Sequence, residues 1–415
     1  MNFLPSSSIS KIQSNCDWLK IAAIRESKGG QYGCHSLLDS GLKNKNYLFG
    51  MNRVFYSFFN NLLKYLKELF FGIIIKMNDI IAIGSATRDA FFKVNFKLTH
   101  FLKAASGWAY LLPLGEKLEV EDVFFTIGGN AINASVTFSR QGLRTACLAK
   151  IGEDVSGEEI RRRLKKEGVS LNLLIQTSKK PTAYSVLLLS SGERTILNYR
   201  GASDTLDFSD LDFKKLKSRW WYVSLTGRSI KIFQRLIKFA SKNNISVAVN
   251  PSGYHLSHRP QEILASLKDI TFLVLNEEEA ARLTGISFKK EKEVFKKLDK
   301  LMPGILAVTN GKKGATISDG RFVYKVDTFQ EKKLVDRTGA GDAFGSGFTA
   351  FLVQKGFNRF NISQLKPEDV IGAAQLASAN ATAVVEKMGA TEGILTKEEF
   401  QNPRWKNLKI RIKRI

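Results

Sequence analysis

The chain has 415 residues, enough for one large α/β domain or two smaller ones with ample core. Three cysteines (Cys16, Cys34, Cys147) at unrelated spacings and four histidines outside any H-E-x-x-H cluster argue against a disulfide framework and a zinc centre, and make a reducing cytoplasm the default. The formal charge of +24 raises a nucleic-acid reading, but residues 1–76 and 404–415 contribute +6 each, and no zinc-finger or RNP-type motif accompanies it; no specific nucleic acid is expected.

Residues 1–76 look foreign to the rest. Their most periodic part, RVFYSFFNNLLKYLKELFFGIII, is interrupted by Lys64, Lys67 and Glu68, which argues against a transmembrane span. The favoured reading is a non-catalytic extension upstream of a natural start at Met77; an interfacial amphipathic helix is the alternative.

From Met77 the pattern changes. NDIIAIGSATRD predicts a strand whose end presents Asp89, and AFFKVNFKL and WAYLLPLGEKLEVEDVFFTIGG alternate as covering strands do. GGNAINASVTFSRQG reads as a glycine turn opening a helix, and PTAYSVLLLSSGERTILNYRGAS as a hairpin turning at Ser190 to Glu193. From residue 219, strands alternate with helices (WWYVSL, SIKIFQRLIKFASKNN, ISVAVNP, PQEILASL, TFLVLN, EEEAARLTG, ILAVTNG), which predicts an α/β fold with a mostly parallel sheet, helices on both faces and a small β lid. The expected layout is a 77–397 domain with lid segments near 90–127 and 181–203, followed by a basic tail, 398–415.

The stretch DRTGAGDAFGSGF, Asp336 to Phe348, follows Leu334–Val335, read as a strand end, and precedes a helical pattern. A dinucleotide fingerprint fails because Phe344 stands where the third glycine belongs, and no G-x-x-x-x-G-K-[ST] occurs anywhere. Two readings remain: an anion cradle at a helix N-terminus that carries its own carboxylate, Asp342, or a Gly-rich turn with a capping aspartate.

Together and in this order the motifs resemble the ribokinase-like (PfkB) family of carbohydrate and nucleoside kinases, from roughly Met77 to Leu395. The resemblance implies a three-layer α/β/α sandwich with a β lid, and ATP-dependent phosphorylation of a hydroxymethyl group on a small sugar. It implies Gly339, Ala340 and Gly341 as anion hole and Asp342 as general base. Asn276 and Glu279 of NEEEA would help place Mg²⁺, partly through water, although N-E-E-E is also a good helix cap. Thr309, Gly311 and Gly314 of VTNGKKGA, and Asn380, would lie at the ATP. Asp336 matches a position that helps hold a monovalent cation in some members, making K⁺ dependence compatible. Asp89 would grip sugar hydroxyls, with Gly128, Gly129 and Asn133 beside it; Asn130 replaces a lysine found in some ribokinases, so ribose is not singled out. A nucleoside kinase is the runner-up, with Phe91, Phe92, Phe124, Phe125 and Tyr184 available to stack a base. A non-catalytic sugar-binding regulator is a third reading. The lid's edges make a homodimer through the lid compatible.

Overall fold

In this computed structural model the described residues are 77–104, 107–190 and 193–415, so the readings made for residues 1–76 lie outside them. The strands are β1 (Asn78–Gly84), β2 (Thr87–Lys93), β3 (Leu98–His100), β4 (Trp108–Tyr110), β5 (Asp122–Gly128), β6 (Thr145–Leu148), β7 (Lys150–Gly152), β8 (Ile175–Thr177), β9 (Ala183–Ser190), β10 (Glu193–Tyr199), β11 (Ser218–Ser224), β12 (Ser246–Val249), β13 (Phe272–Asn276), β14 (Ile305–Thr309), β15 (Ala315–Ser318), β16 (Phe322–Val326) and β17 (Ile410–Arg414). The helices are α1 (Asn130–Arg140), α2 (Val155–Lys166), α3 (Phe233–Lys242), α4 (Gly253–His258), α5 (Pro260–Ser266), α6 (Glu277–Thr284), α7 (Glu291–Asp299), α8 (Ala340–Gln354) and α9 (Pro367–Val385).

Nine strands form the main sheet in the order β17-β16-β15-β14-β13-β12-β11-β1-β6. It is parallel from β6 to β14 and antiparallel from β14 to β17. The central strands read as unbroken apolar runs because both of their faces are covered. Ile80, Ala82, Trp220, Tyr222, Phe272 and Val274 face one core with α1, α8 and α9; Ile81, Ile83, Trp221, Val223, Leu273 and Leu275 face the other with α3, α5, α6 and α7. The period of two in β1 and β11 thus divides side chains between two cores. Each fully buried Ile, Leu or Phe contributes roughly 1.5–3 kcal/mol.

The lid is a separate sheet, β10-β9-β2-β5, with β2 parallel to β9 and the other pairs antiparallel. Asp89, Phe91 and Ser185 are buried in it, whereas Val123, Phe125, Ile196, Leu197 and Tyr199 stay exposed. Burial here runs in blocks instead of alternating: Asp89, Ala90 and Phe91 are buried in succession, whereas the adjacent Phe124 and Phe125 are both exposed.

Two sequence expectations are corrected. Leu334–Val335 is not a strand: the 327–339 connection runs irregularly, with Val335 N donating to Val385 O, because β16 already has β15 and β17 as partners. Residues 398–415 are not a free tail either. Trp405 is buried against Phe329, and Ile410–Arg414 pairs antiparallel with β16, so the alternation of Ile410 and Ile412 with basic residues is that of an edge strand.

Candidate active site

The parallel strands β1, β11, β12, β13 and β14 end at one edge of the sheet, and the helices that follow begin there, as ligand sites of open α/β sheets require. Three adjoining cavities lie along this edge. One of about 460 Å³ is lined by Thr309, Gly311 and Gly314 after β14, by Phe329 and Arg337, and by Ala340 and Gly341. One of about 240 Å³ lies under the lid, with Asp89, Gly129, Asn133, Ser185, Arg200 and Asp342 in its wall. Between them a junction of about 280 Å³ is lined by Asn276, Glu279, Arg194, Arg337, the 339–341 backbone and Asp342. Asp342 borders both the lid cavity and the junction.

Gly339 is the N-cap of α8 and adopts φ 81°, a left-handed conformation in which a side chain is strained; a Cβ there would also stand 2.5 Å from the Ala390 Cβ. The first N–H groups of α8 have no intrahelical partner and point into the junction end of the helix, so an anion gains both hydrogen bonds and the positive dipole end.

Asp342 is held from two sides. Asn133 Nδ2 donates to its Oδ2 at 2.9 Å, and Asn250 Nδ2 to its Oδ1 at 2.9 Å. Burial raises its pKa above the ordinary carboxylate value, and these two donors oppose that rise by favouring the charged form. Asn250 is in turn fixed through its carbonyl, which accepts from Ser224 Oγ at 2.6 Å, and Ser224 Oγ accepts from Asn130 Nδ2. The amide at position 130 therefore ends a hydrogen-bonded relay to Asp342 instead of standing free in the cavity. Asn250, Ser224 and Tyr222 were not found from the sequence. Asn250 follows a strand and precedes Pro251, a pattern that reads as a turn. Tyr222 is fully buried, and burial and the Asp342 charge keep its phenol protonated.

Asp89 is 5% exposed, its Oδ1 has no hydrogen-bond partner, and burial lifts its pKa to about 6 despite the nearby Ser185 and Thr87 hydroxyls. A buried carboxylate oxygen without a donor, facing a polar cavity, is suited to accept from ligand hydroxyls. Gly128 is needed for this: a Cβ there would stand 2.0 Å from Asp89 Oδ2.

Asn276 and Glu279 form a reciprocal capping box at the start of α6. Asn276 Oδ1 accepts from Glu279 N, and Glu279 Oε2 accepts from Asn276 N, both at 2.8 Å. The cap reading and the ligand reading are thus compatible, since the cap fixes the Glu279 carboxylate at the junction. Burial, followed by the Asp342 charge among the raising effects, lifts the Glu279 pKa, a strain that a cation there would relieve. Among the described residues no group of three or more acidic, His or Cys side chains is arranged to hold a metal ion by itself. Such a sparse donor set fits Mg²⁺ carried largely by phosphates and water.

One further expectation changes on inspection. Asn380 does not line a cavity. It is fully buried, its Nδ2 donating to Ala343 O at 3.0 Å and its Oδ1 accepting from Leu395 N at 3.0 Å, while Ser378, Ala381 and Thr382 of the same helix face the 460 Å³ cavity. Asp336 is fixed by accepting from Thr338 N and Thr338 Oγ1 within its turn and from Gly389 N across it.

A nucleotide-sized cavity, a polar acceptor cavity and a carboxylate between them define a phosphotransferase acting on an alcohol. The comparisons with known proteins agree: residues 79–397 match the profile of the pfkB family carbohydrate kinases, and the chain belongs to that family. It is an ATP-dependent sugar-kinase-type enzyme. It is 26% identical over 302 residues to a ribokinase of Haemophilus influenzae, covering 70% of this chain and 91% of that protein. A nucleoside kinase of Methanothermobacter thermautotrophicus is 28% identical over 272 residues, with 64% and 81% covered. The solved structure of Arabidopsis thaliana ribokinase complexed with ribose and ATP superposes with a TM-score of 0.64 at 22% identity, covering 80% of this chain and 99% of that one, a likeness of fold.

Proposed function

We propose that the chain transfers the γ-phosphoryl group of ATP to the hydroxymethyl group of a small sugar, with Asp342 as general base. The acceptor oxygen forms a bond to the γ-phosphorus, the bond from that phosphorus to the bridging oxygen of ADP breaks, and the hydroxyl proton passes to Asp342. The position of Asp342 between the two cavities carries this reading. Asn133 and Asn250 aim the base, the 339–341 backbone receives the negative charge, and Asp89 fixes the acceptor hydroxyls. Thr309, Gly311 and Gly314 form the ATP side. Asn276 and Glu279 would hold Mg²⁺ with the phosphates, where it neutralises their charge.

A sugar is favoured over a nucleoside because, among the described residues, no aromatic side chain lines the lid cavity. Phe91 and Phe124 line a different one, of about 520 Å³, between the lid and residues 334–337. The exposed Phe125, Leu197 and Tyr199 and the free edge of β10 support a second copy of the chain as the cover of the lid, which sedimentation velocity tests. The catalytic reading is tested by ADP release from Mg-ATP over a panel of sugars, sugar phosphates and nucleosides; stimulation by nucleosides alone would replace the sugar reading.

A further inference from the structure

We infer that Arg194 of the lid and Arg337 of the loop before α8 form a two-sided guanidinium clamp on the terminal phosphate of the nucleotide, and that lid movement delivers Arg194 to it. This rests on the kinase reading above.

Both arginines line the junction cavity, where the other charged side chains are the carboxylates of Glu279 and Asp342. Both also line the cavity between the lid and residues 334–337, and Arg337 reaches the nucleotide-side cavity as well. Arg194 comes from the lid strand β10 and Arg337 from the loop before α8.

Their lack of partners is selective. Among the described residues neither makes an ion pair, whereas other arginines around the site are spoken for: Arg88 pairs with Glu159, Arg163 with Glu392, and Arg200 donates to Thr226 Oγ1 at 2.6 Å. Arg194 and Arg337 are exposed, so their guanidinium groups are accessible. A polyphosphate brought beside two carboxylates is repelled unless cations accompany it. Asn130 is neutral and its amide is spent on Ser224, so it supplies none.

The chemistry fits guanidinium. In phosphoryl transfer charge spreads over the equatorial oxygens of the transferred group, and a planar fork of N–H donors matches two of them at once. Arg194 lies at the start of β10, at the tip of the β9–β10 hairpin, so its charge reaches the phosphate with the lid. Acceptor bound beneath the lid then completes the charge set for transfer, which suppresses transfer to water in its absence.

The test compares the full chain with Arg194→Gln, Arg194→Lys and Arg337→Gln, using the sugar that gives the largest ADP release. Arg194→Gln is expected to lower kcat about 10²–10³-fold with the KM for sugar within about threefold. Arg194→Lys should recover less than a tenth of the loss. Arg337→Gln should also raise the KM for ATP about tenfold. Binding of ADP with MgCl₂, with and without aluminium fluoride as a mimic of the transferring group, separates charge stabilisation from folding. Wild type should bind tighter with fluoride present, and Arg194→Gln should keep its ADP affinity but lose that gain. Wild-type turnover with Arg194→Gln within twofold of it, or an undiminished fluoride gain, overturns the clamp alone. A wild-type chain that neither binds ADP nor releases it from ATP overturns the kinase reading, and the clamp with it.

Discussion

Asn250 Nδ2 donates to Asp342 Oδ1 at 2.9 Å, joining the loop after β12 to the first turn of α8 across 92 residues of sequence. Its partner across the carboxylate, Asn133, completes a two-donor cradle that favours the ionised base against the burial that disfavours it.

Asn250→Ala removes one donor, so the Asp342 pKa rises and less base form is present at low pH. The acid limb of the kcat profile is expected to move to higher pH, with the largest loss at the acid end of the profile and recovery as pH rises. A limb that stays in place while kcat falls uniformly would show that Asn250 acts only on structure.

The burial of Asp89 links its proposed role at the acceptor to stability. Its folded-state pKa, about 6, is raised above the ordinary 3.8, mainly by burial. The contribution of its neutral form to stability is therefore full below about pH 3.8 and lost as pH rises through about 6. Asp89→Asn, neutral at every pH, is expected to be more stable than wild type at pH 7–8 by roughly 2–3 kcal/mol, and no more stable at pH 4. Thermal melts at both pH values check this. The same variant should raise the acceptor KM at least about tenfold, because the oxygen that accepts from hydroxyls is replaced.

Gly128→Ala places a methyl group 2.0 Å from the original position of Asp89 Oδ2, so the carboxylate must rotate away from the cavity. The acceptor KM is expected to rise about tenfold or more while ATP affinity, measured by titration calorimetry, stays within about twofold. Equal loss of both affinities would point to a general collapse of the lid edge.

Much of this site is legible in the sequence because its parts are local. The D-R-T-G-A-G-D loop, the N-E-E-E cap and the G-G turn before α1 each carry their geometry within a few residues, and the alternation after residue 219 is that of a doubly covered sheet. Asn250 and Ser224 are not legible in this way, since only the fold brings them to Asp342. Asn380 shows the converse: a polar residue on the Ala-rich α9 is equally compatible with a cavity wall and with a core hydrogen bond, and helix rotation decides for the core. The end of the chain was misread because six basic residues in 404–415 mask the alternation of Ile410 and Ile412, which becomes a strand only when β16 offers an edge.

The turn that precedes that last strand packs beside the proposed nucleotide side. Trp405 is 4% exposed and packs edge-on against Phe329, with ring centroids 5.2 Å apart, and Phe329 lines the nucleotide-side cavity. Trp405→Ala is expected to cost about 3–5 kcal/mol in denaturant unfolding and to weaken ATP binding, with acceptor affinity changed less. Unaltered ATP affinity in the destabilised variant would separate the C-terminal segment from the site.

The most direct measurement is ADP release from Mg-ATP by the full chain and by Asp342→Asn, each with the sugar panel. The account expects stimulation by a sugar in the wild type, a loss of about 10³-fold or more in the variant, and ATP binding within about threefold of wild type. Turnover by Asp342→Asn within tenfold of wild type would contradict the central claim, because a base whose ionised oxygen takes the acceptor proton cannot be dispensable.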